Sequence, residues 1–290
     1  MPLLVKRNVI GNPYLLIAAC LLLCLQLTTA ACSENTTPPP LDAFAYPSEN
    51  RQCLAGSRLG LAGSIDGMVS ADGIRYMVRT PSNYDPTFAH PLLMVYAPAG
   101  HSRWESERFV GLTTAATGKG FVLVYPDHKQ LHIPSIEQLG TIPSEVAKEW
   151  CIDEQRVFVT GHSDGGTASM AMAVLEKTKK IPTAIAPSAA GWMGKDLGEF
   201  QCRDPIPVMI MHSKNDKLFP GWGAETAPWW AGCNHCDVTK TKTVEEGCRA
   251  YQGCASGGAT LYCEGTGSHR DWPNLNRTML DFFMHPEAYQ

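Results

Sequence analysis

The sequence predicts a doubly wound, mostly parallel α/β sheet with helices on both faces. Three observations carry that expectation: near-continuous apolar runs that alternate with helical stretches, a glycine-rich turn that joins one such run to a helix, and a length of 290 residues with 44% hydrophobic and 18% charged side chains, enough for one sizeable core. Residues 73–79 (Gly-Ile-Arg-Tyr-Met-Val-Arg) alternate as an edge strand does. Residues 91–96, 121–125, 156–160 and 207–211 are near-continuous apolar runs, the pattern of strands buried on both faces. Helical patterns fall between them over 105–118, 142–150 and 167–177, and 259–264 reads as a later strand. The order is βαβα with antiparallel strands at the start, so ligands are expected at the C-terminal ends of the parallel strands. There is no internal repeat.

The glycine-rich turn is the most informative segment. Residues 156–166 run from the strand-like Val157-Phe158-Val159-Thr160 through Gly161-His162-Ser163-Asp164-Gly165-Gly166 into an Ala/Met-rich helix. This is the layout of the nucleophile elbow of the α/β-hydrolase fold, in which a sharp strand-to-helix reversal lifts a serine Oγ above the sheet. Such a reversal needs small neighbours, supplied here by Gly161, Gly165 and Gly166. The bland alternative is a glycine-rich turn after a buried strand.

A serine hydroxyl is a poor nucleophile at its own pKa, so the elbow needs a histidine base and a carboxylate to orient it. In this fold they follow the serine in the order Ser, Asp, His, each on a loop after a strand. Asp216 stands in such a loop just after residues 207–211, and His269 in Gly267-Ser268-His269-Arg270-Asp271-Trp272 after residues 259–264. Among the rivals, Asp164 and His162 flank the serine and point elsewhere for that reason. Asp271 is too near His269 in sequence to grip its imidazole, and His212 ends a strand as a packed residue bonding the loop. His101, His128, His132 and His235 read as loop or surface histidines, with His101 beside the expected oxyanion loop.

The N-terminus reads as a targeting segment. Lys6 and Arg7 precede an apolar stretch over 14–27 and a small-residue run ending at Ala31-Cys32, so residues 1–31 are expected to be an export signal. Ala30-Ala31-Cys32 also resembles a lipobox, in which Cys32 is lipidated and tethers the protein to a membrane. The alternatives are plain secretion and an uncleaved anchor, for which the apolar stretch is short. Residues 32–52, rich in Ser, Thr, Pro and Asn, read as a tether, and 53–290 as the catalytic domain. Removing Cys20, Cys24 and Cys32 from the eleven cysteines leaves eight, an even number suited to disulfides in an oxidising compartment. Spacing does not choose among the 105 pairings of eight cysteines. Cys233-x-x-Cys236 near His235 also admits a zinc or redox reading, although no second C-x-x-C and no βαβ context accompany it. A net charge of −4 without a long basic run excludes nucleic acid as an expected partner.

The 156–166 elbow, the 212–220 loop and the segment from Tyr251-Gln252-Gly253-Cys254 to His269-Arg270-Asp271-Trp272-Pro273 together resemble the polyhydroxybutyrate depolymerase and feruloyl esterase family of secreted α/β-hydrolases, over about residue 73 to the C-terminus. The resemblance implies ester hydrolysis, on polyhydroxyalkanoate-like or feruloyl-ester-like substrates, by acyl transfer through Ser163, His269 and Asp216, with no metal or organic cofactor. It implies an oxyanion hole from the loop after residues 92–96. Here that loop is Ala97-Pro98-Ala99-Gly100 rather than a His-Gly-Cys-Gly type; Pro98 has no N–H, which leaves Ala99 (or Gly100) to serve beside Asp164. Cys233 and Cys254 match family positions that resemble a disulfide pair. Trp192, Trp229 and Trp230, together with Trp222 and Trp272, lie in or after loops that follow strands and are candidate stacking residues for an aromatic or polymeric substrate, against the usual role of tryptophan in packing. Two other classes fit the same residues: a peptidase or other acyl hydrolase with this triad, and a non-catalytic surface binding protein, which the altered loop favours.

Overall fold

The computed structural model describes residues 52–290. The expectations for an export signal, a tether and lipidation of Cys32 lie outside these residues. One sheet of ten strands organises the described chain: β1 (Ser64–Val69), β2 (Arg75–Arg79), β3 (His90–Tyr96), β4 (Val122–Pro126), β5 (Ile152–His162), β6 (Ala184–Ser188), β7 (Val208–Ser213), β8 (Asp237–Glu245), β9 (Cys248–Gln252) and β10 (Thr260–Gly265), in the order β1-β2-β4-β3-β5-β6-β7-β10-β9-β8. The strands from β4 through β3, β5, β6 and β7 to β10 are parallel, and antiparallel pairs close both ends. This is the α/β-hydrolase fold that the sequence predicts.

The central strands read as continuous apolar runs because both their faces are covered. All seven residues of β3 are buried, with Leu92, Met94 and Tyr96 in one hydrophobic layer and Leu93 and Val95 in the other. Such side chains each contribute roughly 1.5–3 kcal/mol on burial. The helices are α1 (Arg103–Val110), α2 (Thr113–Gly118), α3 (Ile133–Leu139), α4 (Ile142–Glu149), α5 (Asp164–Val174), α6 (Gly194–Leu197), α7 (Trp222–Cys233) and α8 (Asn276–Met284), before a 3₁₀ turn over Pro286–Tyr289. The single helix expected over 105–118 is two helices. Gly111 ends α1 in the left-handed region (φ 58°), which turns the chain before α2. Ser102 and Glu105 form a capping box that fixes where α1 begins.

Strand β6 escaped the sequence reading because it is short and holds Pro187. Ile185 and Ala189 donate their N–H groups to Pro207 and Met211 on the β7 side, and Pro187 occupies the donor position between them. The β6–β7 ladder is correspondingly sparse, pairing only Ile185 with Val208 and Ser188 with Met211.

All eight cysteines of the described chain are paired, as Cys53–Cys151, Cys202–Cys233, Cys236–Cys254 and Cys248–Cys263. The expected Cys233–Cys254 bridge is therefore corrected, and so is the zinc or redox reading of Cys233-x-x-Cys236. Strand register gives the reason. Asp237 faces Gln252 across β8–β9, which delivers Cys236 to Cys254, and Cys263 faces Cys248 across β9–β10. Cys233, at the end of α7, meets instead Cys202 in the segment before β7, at a Cα separation of 5.2 Å that a disulfide spans readily.

Candidate active site

The turn from β5 into α5 places Ser163 at φ 55° and ψ −116°, a region that a non-glycine residue occupies only when its surroundings over-determine it. The surroundings here are backbone packed against backbone. A Cβ on Gly161 or Gly165 would run into the Tyr96 carbonyl, and one on Gly166 into the Ser188 carbonyl. Ser163 N–H donates to Ser188 O at 3.0 Å, pinning the turn to the end of β6.

The structure brings Ser163, His269 and Asp216 together in one line. His269 Nε2 lies 3.0 Å from Ser163 Oγ, and His269 Nδ1 lies 2.7 Å from Asp216 Oδ2. Ionised Asp216 only accepts, so Nδ1 carries the proton and Nε2 is left to accept from the serine hydroxyl. Asp216 is 2% exposed. Burial raises its pKa, yet the net shift is downward, because Oδ1 accepts 2.9 Å bonds from the N–H groups of Phe219 and Leu218 and Oδ2 accepts from His269. The carboxylate is held charged by those donors.

His162 does face the site, although the sequence suggested otherwise. Its Nε2 lies 2.6 Å from the backbone carbonyl of His269, which can only accept, so Nε2 bears hydrogen and Nδ1 accepts from Ser188 Oγ at 3.0 Å. Burial pushes its pKa down to about 4, outweighing the bond to the His269 carbonyl, which acts in the opposite direction, and the ring is neutral at neutral pH. Its ring packs edge-on against Trp272 and against Phe109, the latter a residue the sequence did not single out. Phe219 stands edge-on to the other flank of His269 at 4.9 Å and stacks on Trp222. His212 Nε2 donates to the Phe219 carbonyl of its own loop, 2.8 Å away, since a carbonyl can only accept.

The two expected oxyanion donors lie on separate loops. Asp164 is the first residue of α5, so its N–H has no acceptor within the helix. His101 N–H donates to Pro98 O and closes a turn whose middle residues are Ala99 and Gly100, the latter at φ 74°. That turn leaves the Ala99 N–H outside its own hydrogen bond. His128, read from the sequence as a loop histidine, lies on the loop after β4 with Nε2 2.9 Å from Asp164 Oδ2.

The tryptophans divide. Trp230 is 1% exposed within the core, so the expectation that it stacks on substrate is corrected: an indole walled in by the protein offers no face to a ligand. Trp229 is half-buried and edge-on to Trp230; Trp192 is half-buried and stacked on Phe200. The loop that carries Trp192 borders the site, since a Cβ on neighbouring Gly191 would stand 3.0 Å from the Phe219 ring. A cleft of about 710 Å³ opens beside the 265–275 loop, lined in part by Lys214, Arg249, Tyr262 and Trp272, but Ser163, His269 and Asp216 are not among its walls.

No family model matches the chain. Feruloyl esterase D of Neurospora crassa is 24% identical over 251 residues, covering 79% of this chain and 85% of its own length. Feruloyl esterase C of Emericella nidulans is 25% identical over 186 residues, 60% of this chain and 67% of its own. Among solved structures, an acetyl xylan esterase from Aspergillus awamori superposes with a TM-score of 0.59 at 15% identity, over 78% of this chain and 99% of that one. A feruloyl esterase module from Clostridium thermocellum, solved with sinapinate, gives 0.56 at 12% identity over 85% and 91%. By fold and by these relatives, the chain is an α/β-hydrolase related to the feruloyl esterases, a carboxylic-ester hydrolase of the serine type.

Proposed function

We propose that the protein hydrolyses carboxylic esters through an acyl-enzyme on Ser163. The observation that carries this reading is the unbroken chain of hydrogen bonds from Ser163 Oγ through His269 to buried Asp216. As Oγ attacks the ester carbonyl, His269 Nε2 takes its proton, and Asp216 stabilises the imidazolium that forms. The carbonyl oxygen, now an oxyanion, meets the N–H groups of Asp164 and Ala99. Collapse of the tetrahedral intermediate breaks the bond to the alcohol, which leaves with the proton from His269. Water then attacks the acyl group with His269 again as base, releasing the acid and restoring the serine hydroxyl.

The favoured substrates are feruloyl-ester-like or polyhydroxyalkanoate-like, with Trp192 and Trp229 as stacking residues. The feruloyl esterase relatives support the first of these, and the aromatic residues around His269 suit either. Residues 1–31 direct export, with Cys32 as the lipid anchor or the start of a secreted chain. Four disulfides are compatible with export. One observation favours a second reading, a non-catalytic binding protein: the 98–101 turn includes Pro98, which has no N–H to offer an oxyanion.

The test is hydrolysis of short-chain p-nitrophenyl esters by protein produced from residue 34 onward in an oxidising compartment. Wild type is expected to turn over, and Ser163→Ala and His269→Ala to lose turnover while remaining folded. A folded wild type that is inert, and that a fluorophosphonate probe fails to label where a control hydrolase labels, selects the binding reading.

A further inference from the structure

The two oxyanion donors of the proposed mechanism belong to different loops, and their spacing decides whether they meet one oxygen. Catalytic hydrogen bonds of this kind tolerate displacements of only about 0.5 Å. The Ala99 turn is exposed on the surface, and its one internal bond, His101 N–H to Pro98 O, does not tie it to the elbow. The β3–β5 pairing and the packing of Gly165 on the Tyr96 and Ala97 carbonyls fix the strand end that leads into the turn, and the turn beyond it needs a further tie to Asp164.

Two consecutive residues after β4 reach both sides. His128 N–H donates to His101 O at 3.1 Å, which fixes the end of the Ala99 turn. The His128 ring reaches the other way, with Nε2 2.9 Å from Asp164 Oδ2 on the residue that follows the nucleophile. An ionised carboxylate only accepts, so Nε2 donates. Asp127 anchors the same loop: its carboxylate accepts from the Arg103 N–H at 2.9 Å, from the Arg103 guanidinium at 3.0 and 3.1 Å, and from Arg75 at 3.1 Å. The loop is thereby held to the start of α1, immediately beyond the turn.

We propose that His128 is a positioning residue for the oxyanion hole, bracing the Asp164 N–H of the elbow against the Ala99 N–H of the neighbouring turn through one backbone and one side-chain hydrogen bond. This rests on the reading of Ser163 as nucleophile and of Asp164 and Ala99 as oxyanion donors. The brace is the counterpart of the altered loop sequence. Where Ala97-Pro98-Ala99-Gly100 supplies few hydrogen-bonding groups of its own, the adjacent loop supplies them. The side chain acts through Asp164, so its loss should weaken binding of the transition state and leave binding of the ground-state ester nearly untouched.

The experiment compares His128→Ala, His128→Leu, His128→Gln, Asp164→Ala and the His128→Ala/Asp164→Ala double variant on a p-nitrophenyl ester, with inhibition by phenylboronic acid as a tetrahedral mimic and the thermal midpoint as a check on folding. His128→Ala and His128→Leu are expected to lower kcat about tenfold with KM within about twofold, and to weaken the boronic acid by the same factor, well short of the 10²–10³-fold for deleting a donor outright. His128→Gln, which keeps an N–H donor at similar reach, should recover most of that loss. The double variant should be no worse than the poorer single one, because both remove the same bond. The proposal is overturned if kcat is unchanged, if KM rises while kcat holds, or if the two single effects multiply. It also fails if every His128 variant, Gln included, is equally impaired. Ser163→Ala separates the two levels: if it keeps wild-type turnover the underlying mechanism fails and this proposal with it, whereas if it is inactive and His128→Leu is fully active, only the brace fails.

Discussion

The two sides of Ser163 are built differently. On the histidine side, Asp216 is enclosed and receives two backbone N–H bonds besides that of His269, and the His269 backbone is itself gripped by buried His162. On the oxyanion side, a surface turn at 98–101 faces the helix start at Asp164, and the hydrogen bonds described between them run through partly exposed His128, beside the ring contacts of Phe109 with His101 and His162. The first side is over-determined by groups that cannot move without exposing or orphaning a buried partner; the second depends on a few bonds near solvent. The difference predicts that substitutions on the histidine side cost turnover most heavily or change the stability of the fold, whereas those on the oxyanion side grade turnover and leave the fold intact.

The largest effect should come from Asp216→Asn. The amide cannot hold the imidazole in the same tautomer, since its NH₂ would confront Nδ1–H unless the side chain flips away from the Leu218 and Phe219 donors. A fall in kcat of about 10⁴-fold is expected, the size such a swap has in serine hydrolases. Steady-state kinetics on a p-nitrophenyl ester measures it, and a fall below about tenfold would mean that Asp216 does not orient His269.

His162→Gln probes the same side through stability as well as rate. The native ring resists protonation until about pH 4, whereas in the unfolded chain it titrates near 6.5. Between those values the unfolded state binds the extra proton, so folding stability is fully present above about pH 6.5 and declines as pH falls towards 4. The decline amounts to about 3 kcal/mol for the shift stated. Burial also lowers the pKa of His90 and of His212, which add to the same acid limb. Thermal midpoints measured from pH 7 to pH 4 should therefore drop less steeply in His162→Gln than in wild type. An unchanged slope would remove His162 from the account. Its kcat should fall about tenfold as the His269 backbone loosens.

How much of this was legible in the sequence follows from how local each feature is. The elbow, Asp216 and His269 were readable because each lies at a strand end with its own composition signal, and strand order fixes their succession. The central strands were readable because burial on both faces leaves no room for polar residues. The hydrogen bond from His162 to the His269 carbonyl, and from His128 to Asp164, join residues 107 and 36 positions apart, and nothing in either local sequence marks them. The Cys236–Cys254 bridge was hidden for the same reason: it depends on the β8–β9 register, and β8 reads poorly as a strand because Thr239, Lys240, Thr241 and Lys242 are exposed on both faces. Trp230 shows the converse failure, since a tryptophan in a helix after a catalytic loop looks the same in sequence whether it lines a pocket or fills a core.

Gly100→Ala tests the oxyanion side away from its brace. Gly100 stands at φ 74° with open space around the position of a Cβ, so the added methyl meets no neighbour and the cost is conformational alone. An alanine held in the left-handed region loses about 1–2 kcal/mol, which the exposed turn can relieve by rotating its peptide planes. Rotation would swing the neighbouring Ala99 N–H off the oxyanion, and kcat is expected to fall about fivefold, with KM and the thermal midpoint nearly unchanged. The contrast with the elbow is the informative part. Gly165→Ala faces the same small increment in volume but drives its Cβ into the Tyr96 carbonyl, with no soft direction in which to yield, and should fail to give folded protein. Should Gly100→Ala prove as damaging as Gly165→Ala, the 98–101 turn would have to be as rigidly specified as the elbow, and the graded behaviour assigned to the oxyanion side would not hold.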